Sequence, residues 1–163
     1  MLALHLERHG FDRVRAAAAI DAEPAWDRSF RRTRNFFRGY RSKHTGHVLY
    51  NFGSLDGGVG GIWNLNQAWF VAGGMKYVRA VPEIYNHAMA EQWATLSRLS
   101  VQRFGRPVPF AGLMTQHRSR CGHCGFTSKE AQAALMSALA RHPRTRVRTL
   151  SSARNIRWAH AID

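Results

Sequence analysis

The hydrophobic residues of this chain fall into short continuous runs separated by longer segments with helical spacing. The runs at 16–20, 47–52, 78–81, 108–114 and 146–150 are predicted strands. Helices are predicted between them, beginning at Asp27, around Leu65, at Asn86 and at Thr127, and residues 2–9 are interpreted as the end of another helix. This alternation is typical of an α/β fold with a parallel sheet.

The ends of two predicted helices carry clear signals. Asn86 is a favourable N-cap for a helix that stops at Gly105. Thr127 and Glu130 have the spacing of a capping box at the start of the next helix, which stops at Pro143. The sequence therefore predicts both ends of these two helices.

The predicted strands recur at a nearly constant interval. They end at Asp21, Asn51, Glu83, Thr115 and Ser151, at spacings of 30, 32, 32 and 36 positions. A (β/α)8 barrel has about 250 residues, roughly 31 per unit. We therefore predict a partial (β/α)8 (TIM-type) barrel of about five parallel strands with intervening helices, with residues 1–163 forming a single, N-terminally truncated domain. An open doubly wound sheet is the alternative.

Composition agrees with one globular domain and adds a strong basic charge. The chain has 163 residues, of which 45% are hydrophobic, and a formal net charge of +14. Such a charge predicts affinity for polyanions, and because no nucleic-acid-binding motif is present, binding of nucleic acid is expected through the basic surface only, if at all. No apolar run is long enough for a membrane span, and His5 and Glu7 interrupt the N-terminal apolar stretch, which makes it a poor secretory signal and leaves the compartment open.

The first candidate chemistry lies at the end of the first predicted strand. Asp21 and Glu23 are two positions apart, so both side chains point the same way, about 7 Å apart at roughly 3.3 Å per residue. Two neighbouring carboxyl groups with different pKa values are what glycosidic cleavage needs. The alternative is a solvated turn before Pro24.

The segment Asp21-Ala-Glu23-Pro-Ala-Trp26 resembles the fourth-strand signature of barrel glycoside hydrolases such as chitinases and glycosyl hydrolase family 25 lysozymes. Three later segments resemble uncharacterised bacterial glycoside-hydrolase-like barrel proteins: Asn51-Phe-Gly-Ser-Leu-Asp-Gly, Pro82-Glu-Ile-Tyr-Asn and Phe110-Ala-Gly-Leu-Met-Thr-Gln. The resemblance implies a polysaccharide substrate, with Glu23 as proton donor and Asp21 steadying a substrate N-acetyl group or the charged intermediate.

Further candidate residues follow the other predicted strands. Glu83 is a candidate nucleophile or base, with helix capping as the alternative. Sugar rings stack their C–H faces on aromatic planes, and polar strand-end side chains can hold hydroxyl groups. The predicted substrate-binding residues are Trp26, Asn51, Asp56, Trp63, Tyr85, Gln116 and His117.

The sequence predicts no cofactor and gives only weak metal candidates. Cys121 and Cys124 form a Cys-Gly-His-Cys group without a second such pair, which favours a local disulfide or two free thiols over zinc. Five barrel units would leave open sheet edges, which predicts a homo-oligomer. Two other functions stay open: a non-catalytic carbohydrate-binding or structural barrel protein, and a basic nucleic-acid-associated protein.

Overall fold

Short strands alternate with helices along the chain. This computed structural model describes residues 17–43, 46–116 and 124–152, and the predictions for residues 2–9, His117 and Cys121 lie outside that part. The described strands are β1 (Ala18–Ile20), β2 (Leu49–Asn51), β3 (Val78–Ala80), β4 (Gly112–Leu113) and β5 (Ser151–Ser152). The described helices are α1 (Arg31–Lys43), α2 (Leu65–Trp69), α3 (His87–Phe104) and α4 (Ser128–Ala140). The predicted α/β class with parallel strands is confirmed.

Every described pairing between strands is parallel. Strands β1, β2 and β3 form one sheet in that order, and β4 pairs with β5 in a second. Parallel bridges from Ala80 to Phe110 and from Glu83 to Met114 link β3 to the β4 segment. The strands are therefore neighbours in the order in which they follow one another along the chain. In the described part they form two small sheets, and barrel closure is not seen.

Two of the predicted strands differ from the observed ones. The predicted strand 108–114 is reduced to Gly112–Leu113, and the predicted strand 146–150 is replaced by pairing at Ser151–Ser152. The reason for the second shift lies in hydrogen bonding. The Leu150 carbonyl accepts from the side chain of Gln132 on α4, so the main chain joins the sheet only after this residue.

Two of the helices carry the predicted caps. Asn86 Oδ1 accepts from the Met89 N–H at 3.0 Å, and Gly105 ends α3 in the left-handed region. Thr127 and Glu130 form the reciprocal capping box of α4. None of the described helices is long and apolar enough to cross a membrane.

The core has two parts on either side of the α2 region. One packs α3 and α4 against the sheet and includes Trp93, Leu96 and Leu135. The other packs α1 against β2 and β3 and includes Phe37 and Trp63. Trp63 is 1% exposed, and its indole N–H donates to the Asp27 carbonyl at 3.0 Å.

Between these two parts the chain passes through a π-helical turn, Phe70–Gly74, which directly follows α2 and is kinked at Gly73. A β-carbon added to Gly73 would lie 2.1 Å from Cδ of Pro109 and 2.5 Å from its Cγ. Because the proline ring is rigid and held before β4, neither partner can move aside without shifting main chain. The glycine therefore sets how closely the turn approaches the chain before β4.

We predict that Gly73→Ala lowers the free energy of unfolding by about 1–3 kcal/mol through overpacking. Gly39→Ala is the matched control, because Gly39 lies within α1 and an added β-carbon meets nothing within 4 Å. That control is expected to stabilise the protein by about 0.5–1 kcal/mol. Urea unfolding of both variants measures the difference, and equal effects would contradict the close packing of Gly73.

Candidate functional site

Four carboxyl groups gather where the first three strands end. Asp21 follows β1 directly, Asp56 lies in the loop after β2, and Glu83 lies just beyond β3, while Glu23 is two residues after Asp21. The in-register parallel pairing of Ile20, Asn51 and Ala80 brings these strand ends to one edge of the sheet. We call Asp21, Glu23, Asp56 and Glu83 the carboxyl cluster.

Glu23 is held by hydrogen bonds at both of its carboxylate oxygens. Oε1 accepts from the main-chain N–H of Ser54 at 2.8 Å, and Oε2 accepts from the indole N–H of Trp26 at 3.1 Å. One donor comes from the loop after β2 and the other from the residue three positions along the chain. The side chain is therefore fixed between two loops and is set to accept hydrogen bonds.

Asp56 makes the reciprocal connection between the same two loops. Its Oδ2 accepts from the main-chain N–H of Ala25 at 2.8 Å, and its Oδ1 accepts from the Ser54 hydroxyl. Ser54 thus binds Glu23 through its main chain and Asp56 through its side chain. These contacts lock the loop after β1 to the loop after β2.

Asn51 forms the base beneath these loops. It is 1% exposed, its Oδ1 accepts from the N–H groups of Ala22 at 3.0 Å and Gly53 at 3.3 Å, and its Nδ2 donates to the Val71 carbonyl at 3.3 Å. Because the side chain is buried and both its oxygen and its amide nitrogen bond main chain, Asn51 is not exposed to a substrate as the sequence predicted. It is a positioning residue for the chain that carries Glu23.

Next to the hydrogen bonds of Asn51, the main chain at Gly53 comes very close to the main chain at Ala22. A β-carbon on Gly53 would lie 2.4 Å from the Ala22 carbonyl oxygen, and all its nearest neighbours are main-chain atoms. Only glycine fits where the ends of β1 and β2 come this close. The loop after β1 therefore packs directly against the main chain at Gly53, with no side chain between them.

Burial and mutual repulsion raise the pKa values of two members of the carboxyl cluster. Desolvation raises the pKa of Asp21 to about 6, and the charges of Glu23 and Asp56 add to the effect. The pKa of Glu83 rises to about 7, mainly through burial, with smaller contributions from Asp21, Glu23 and Asp56. Near neutral pH, Glu83 is therefore divided between its protonated and ionised forms.

Tyr85 is the polar neighbour of Glu83. It is 9% exposed, and its hydroxyl is close enough to Glu83 to oppose the rise in the carboxyl's pKa, while burial and Glu83 raise the pKa of the phenol. The contact falls short of normal hydrogen-bond geometry, so Tyr85 Oη is buried without a partner. Oδ1 of Asp21 is also buried without a hydrogen-bond partner. Both atoms carry unused hydrogen-bonding capacity.

The two tryptophans predicted to bind substrate have opposite environments. Trp26 is 73% exposed and lies beside Glu23, whereas Trp63 is fully buried, with its ring centroid 5.2 Å from that of Phe30 in an edge-to-face contact. The prediction for Trp63 is wrong because its apolar ring fills the core under α1. Gln116 is half-buried after β4, and the prediction for His117 lies outside the described residues.

Sequence reasoning missed Ser54. Its contact with Glu23 uses a main-chain N–H, a group that every residue except proline has, so the residue type gives no signal of it. The available signal was its position: Ser54 lies two residues before Asp56, a spacing at which serine hydroxyls commonly bond within turns.

The described residues hold no group of three histidine, cysteine or acidic side chains that could bind a metal ion. Cys124 is buried and disulfide-bonded, so it is not the thiolate that a metal site requires. The weak metal prediction for Cys124 is therefore wrong, while that for Cys121 lies outside the described part of the chain.

Comparisons of the chain with protein-family models, with curated proteins and with solved structures find no match. The chemistry of the site therefore rests on its own geometry. A carboxyl group that holds a proton near neutral pH can donate it, and a neighbouring carboxylate that accepts hydrogen bonds can take one up, so the arrangement has the groups that acid and base chemistry needs.

We predict that replacing Asn51 with Ala destabilises the protein by about 2–5 kcal/mol, since two buried N–H groups lose their acceptor. Asn35→Ala is the control, because Asn35 is exposed on α1. Thermal unfolding measures both variants. A loss for Asn51→Ala no greater than that for Asn35→Ala would remove Asn51 from its positioning role.

The raised pKa of Glu83 predicts a pH-dependent stability. Because the folded pKa of about 7 exceeds the ordinary value of 4.5, the stabilising proton is fully present below 4.5 and lost as pH rises through 7. The melting temperature is expected to fall between about pH 5 and about pH 8, and less so in Glu83→Gln. Glu91→Gln, on the exposed face of α3, is the control and should keep the wild-type slope. Parallel curves for all three proteins would contradict a buried, protonated Glu83.

Proposed function

We propose that this chain is the arc of a (β/α)8-type barrel and that its carboxyl cluster acts on a glycosidic polymer by general acid and base catalysis. The observation that carries the proposal is the grouping of carboxyl side chains from three successive parallel strand ends, one of which, Glu83, keeps its proton to about pH 7. Glycosidic bond cleavage requires such a proton donor together with an ionised partner.

The order of the strands supports the barrel part of the proposal. Each strand lies next to the strand that precedes it in the chain, and all described pairings are parallel. A doubly wound sheet reverses its strand order at the point where its ligand binds, whereas a barrel does not. Barrel enzymes also place their chemistry at the carboxyl ends of the strands, where the carboxyl cluster lies.

The contacts favour a division of roles that differs from the one implied by the resemblance. Both oxygens of Glu23 accept hydrogen bonds, which suits a carboxylate. Glu83, half-buried and coupled to three other carboxyl groups, is better suited to hold the proton. We therefore assign the proton donor to Glu83 and the ionised partner to Glu23, with Asp21 modulating both.

In this proposal the reaction is a hydrolysis. Glu83 donates its proton to the glycosidic oxygen as the bond from that oxygen to the anomeric carbon breaks. The carboxylate of Glu23 stabilises the positive charge that develops on the sugar ring. Water then adds to the anomeric carbon and gives a proton back to Glu83, which restores the starting state.

The surroundings of the carboxyl cluster indicate the kind of sugar. Trp26 presents an exposed ring beside Glu23, at the position where a sugar ring would stack. Four carboxyl groups in one place repel uronate or sulfate groups. Neutral sugars, including those with N-acetyl groups, are therefore the expected substrates.

We predict that the protein releases new reducing ends from a soluble neutral polymer such as glycol chitin or hydroxyethyl cellulose. Glu83→Gln should lower the rate at least about 100-fold because it removes the proton donor. Glu91→Gln, outside the carboxyl cluster, should keep the wild-type rate. Circular dichroism of all variants checks that folding is unchanged.

The roles of the two glutamates are separated by the pH profile. Loss of activity in Glu83→Gln, with a wild-type profile that declines above about pH 7, supports Glu83 as the donor. Full activity in Glu83→Gln together with loss in Glu23→Gln would restore the assignment implied by the resemblance. Binding of the polymer that is lost in Trp26→Ala, without any hydrolysis, would favour the non-catalytic carbohydrate-binding function. Neither binding nor hydrolysis would reject the proposal.

A further inference from the structure

A cavity lies at the opposite end of the strands from the carboxyl cluster. It has a volume of about 700 Å³ and lies at the amino ends of β2 and β3. Its cationic lining residues are Arg41, Lys76 and Arg79, and its apolar walls include Val48 and Met75. We call this the basic cavity.

The cations of the basic cavity come from two elements and are partly fixed. Nη1 of Arg79 donates to the main-chain carbonyls of Lys76 at 2.7 Å and Val78 at 2.8 Å, which holds the guanidinium at the wall. Nearby, Arg106 donates to the carbonyl of Gly74 at 3.2 Å, and Gly74 also lines the cavity. Hydrogen bonds to neutral carbonyls orient these groups and leave their charges uncompensated.

Carboxylates within the described part of the chain do not neutralise this charge. Arg41, Lys76 and Arg79 form no ion pair with any described acidic residue, and no acidic side chain lines the cavity. The described acidic residues lie in the carboxyl cluster, before α1, or on α3 and α4. Positive groups that surround a concave surface focus the field inward and attract an anion.

The C-terminal end of α1 explains the position of only one of the three cations, Arg41. Arg41 lies in the last turn of α1, where a positive charge complements the partial negative charge of the helix terminus. Lys76 and Arg79 belong to the chain that enters β3, so that explanation does not reach them. Their convergence with Arg41 on one cavity indicates a ligand.

We propose that the basic cavity binds a phosphorylated small molecule, with Arg41, Lys76 and Arg79 on a di- or triphosphate group and the organic part against Val48 and Met75. Cavities for small molecules commonly measure about 300–1,000 Å³ and combine apolar walls with a few polar groups. The other arginines of α1 do not line this cavity, so the proposal concerns a ligand held within it and not an extended nucleic-acid backbone. The site is independent of the carboxyl cluster and of the function proposed for it.

The test compares pyrophosphate with ADP by isothermal titration calorimetry at near-physiological salt. The triple variant Arg41→Gln, Lys76→Gln, Arg79→Gln should weaken ADP binding at least about tenfold, because charge-assisted hydrogen bonds are lost. The matched control is Arg98→Gln, Arg103→Gln, Lys129→Gln, which removes two arginines and one lysine from exposed positions on α3 and α4. It should change the affinity less than about twofold.

The design separates a specific site from the overall charge of the protein. Equal weakening in the two triple variants would overturn the proposal, since it would show attraction to net charge alone. ADP binding no tighter than pyrophosphate would overturn the part assigned to the apolar walls. Because Arg79 also bonds main chain, the double variant Arg41→Gln, Lys76→Gln provides a second test on exposed residues only, with Arg98→Gln, Lys129→Gln as its control. Wild-type affinity in that double variant would also overturn the proposal.

Discussion

The buried side chain of Asn51 is the contact on which the arrangement of the carboxyl cluster depends. It accepts hydrogen bonds from the chain after β1 and the chain after β2, and it donates to the π-helical turn behind them. A single amide thus satisfies three main-chain groups that would otherwise be buried without partners. The loops that carry Glu23 and Asp56 are held in place by these hydrogen bonds, and Ser54 then links the two carboxylates.

Two clusters of charged side chains lie at opposite ends of the described strands. Acidic side chains collect after the strands, where burial and repulsion favour the protonated forms of Glu83 and Asp21. Arg41, Lys76 and Arg79 line a cavity at the amino ends of β2 and β3, which no described carboxylate lines. The net charge of +14 therefore does not describe the local charge at either place, which is negative at the carboxyl cluster and positive at the basic cavity.

Local signals in the sequence predicted a large part of the fold. The caps at Asn86 and Thr127 depend on side chains bonding to main chain a few residues away, so the sequence contains both partners. The regular spacing of the predicted strands along the chain indicated that the strands are parallel and that acidic residues lie together where they end. The roles of Asn51 and Trp63 could not be predicted, because polarity and an aromatic ring suit a binding surface and a packed interior equally well. Burial, which depends on α1 and the π-helical turn, decides between them.

The close approach of Gly53 to Ala22 has a consequence for how this site can vary. The separation of the first two loops is set by backbone atoms in contact, with no side chain acting as a spacer. A side chain added at position 53 would push the two chain segments apart and separate the loops that carry Glu23 and Asp56. The hydrogen bonds of these two carboxylates hold the same loops together through their side chains, so a change of residue at position 23 or 56 also removes a link between the loops.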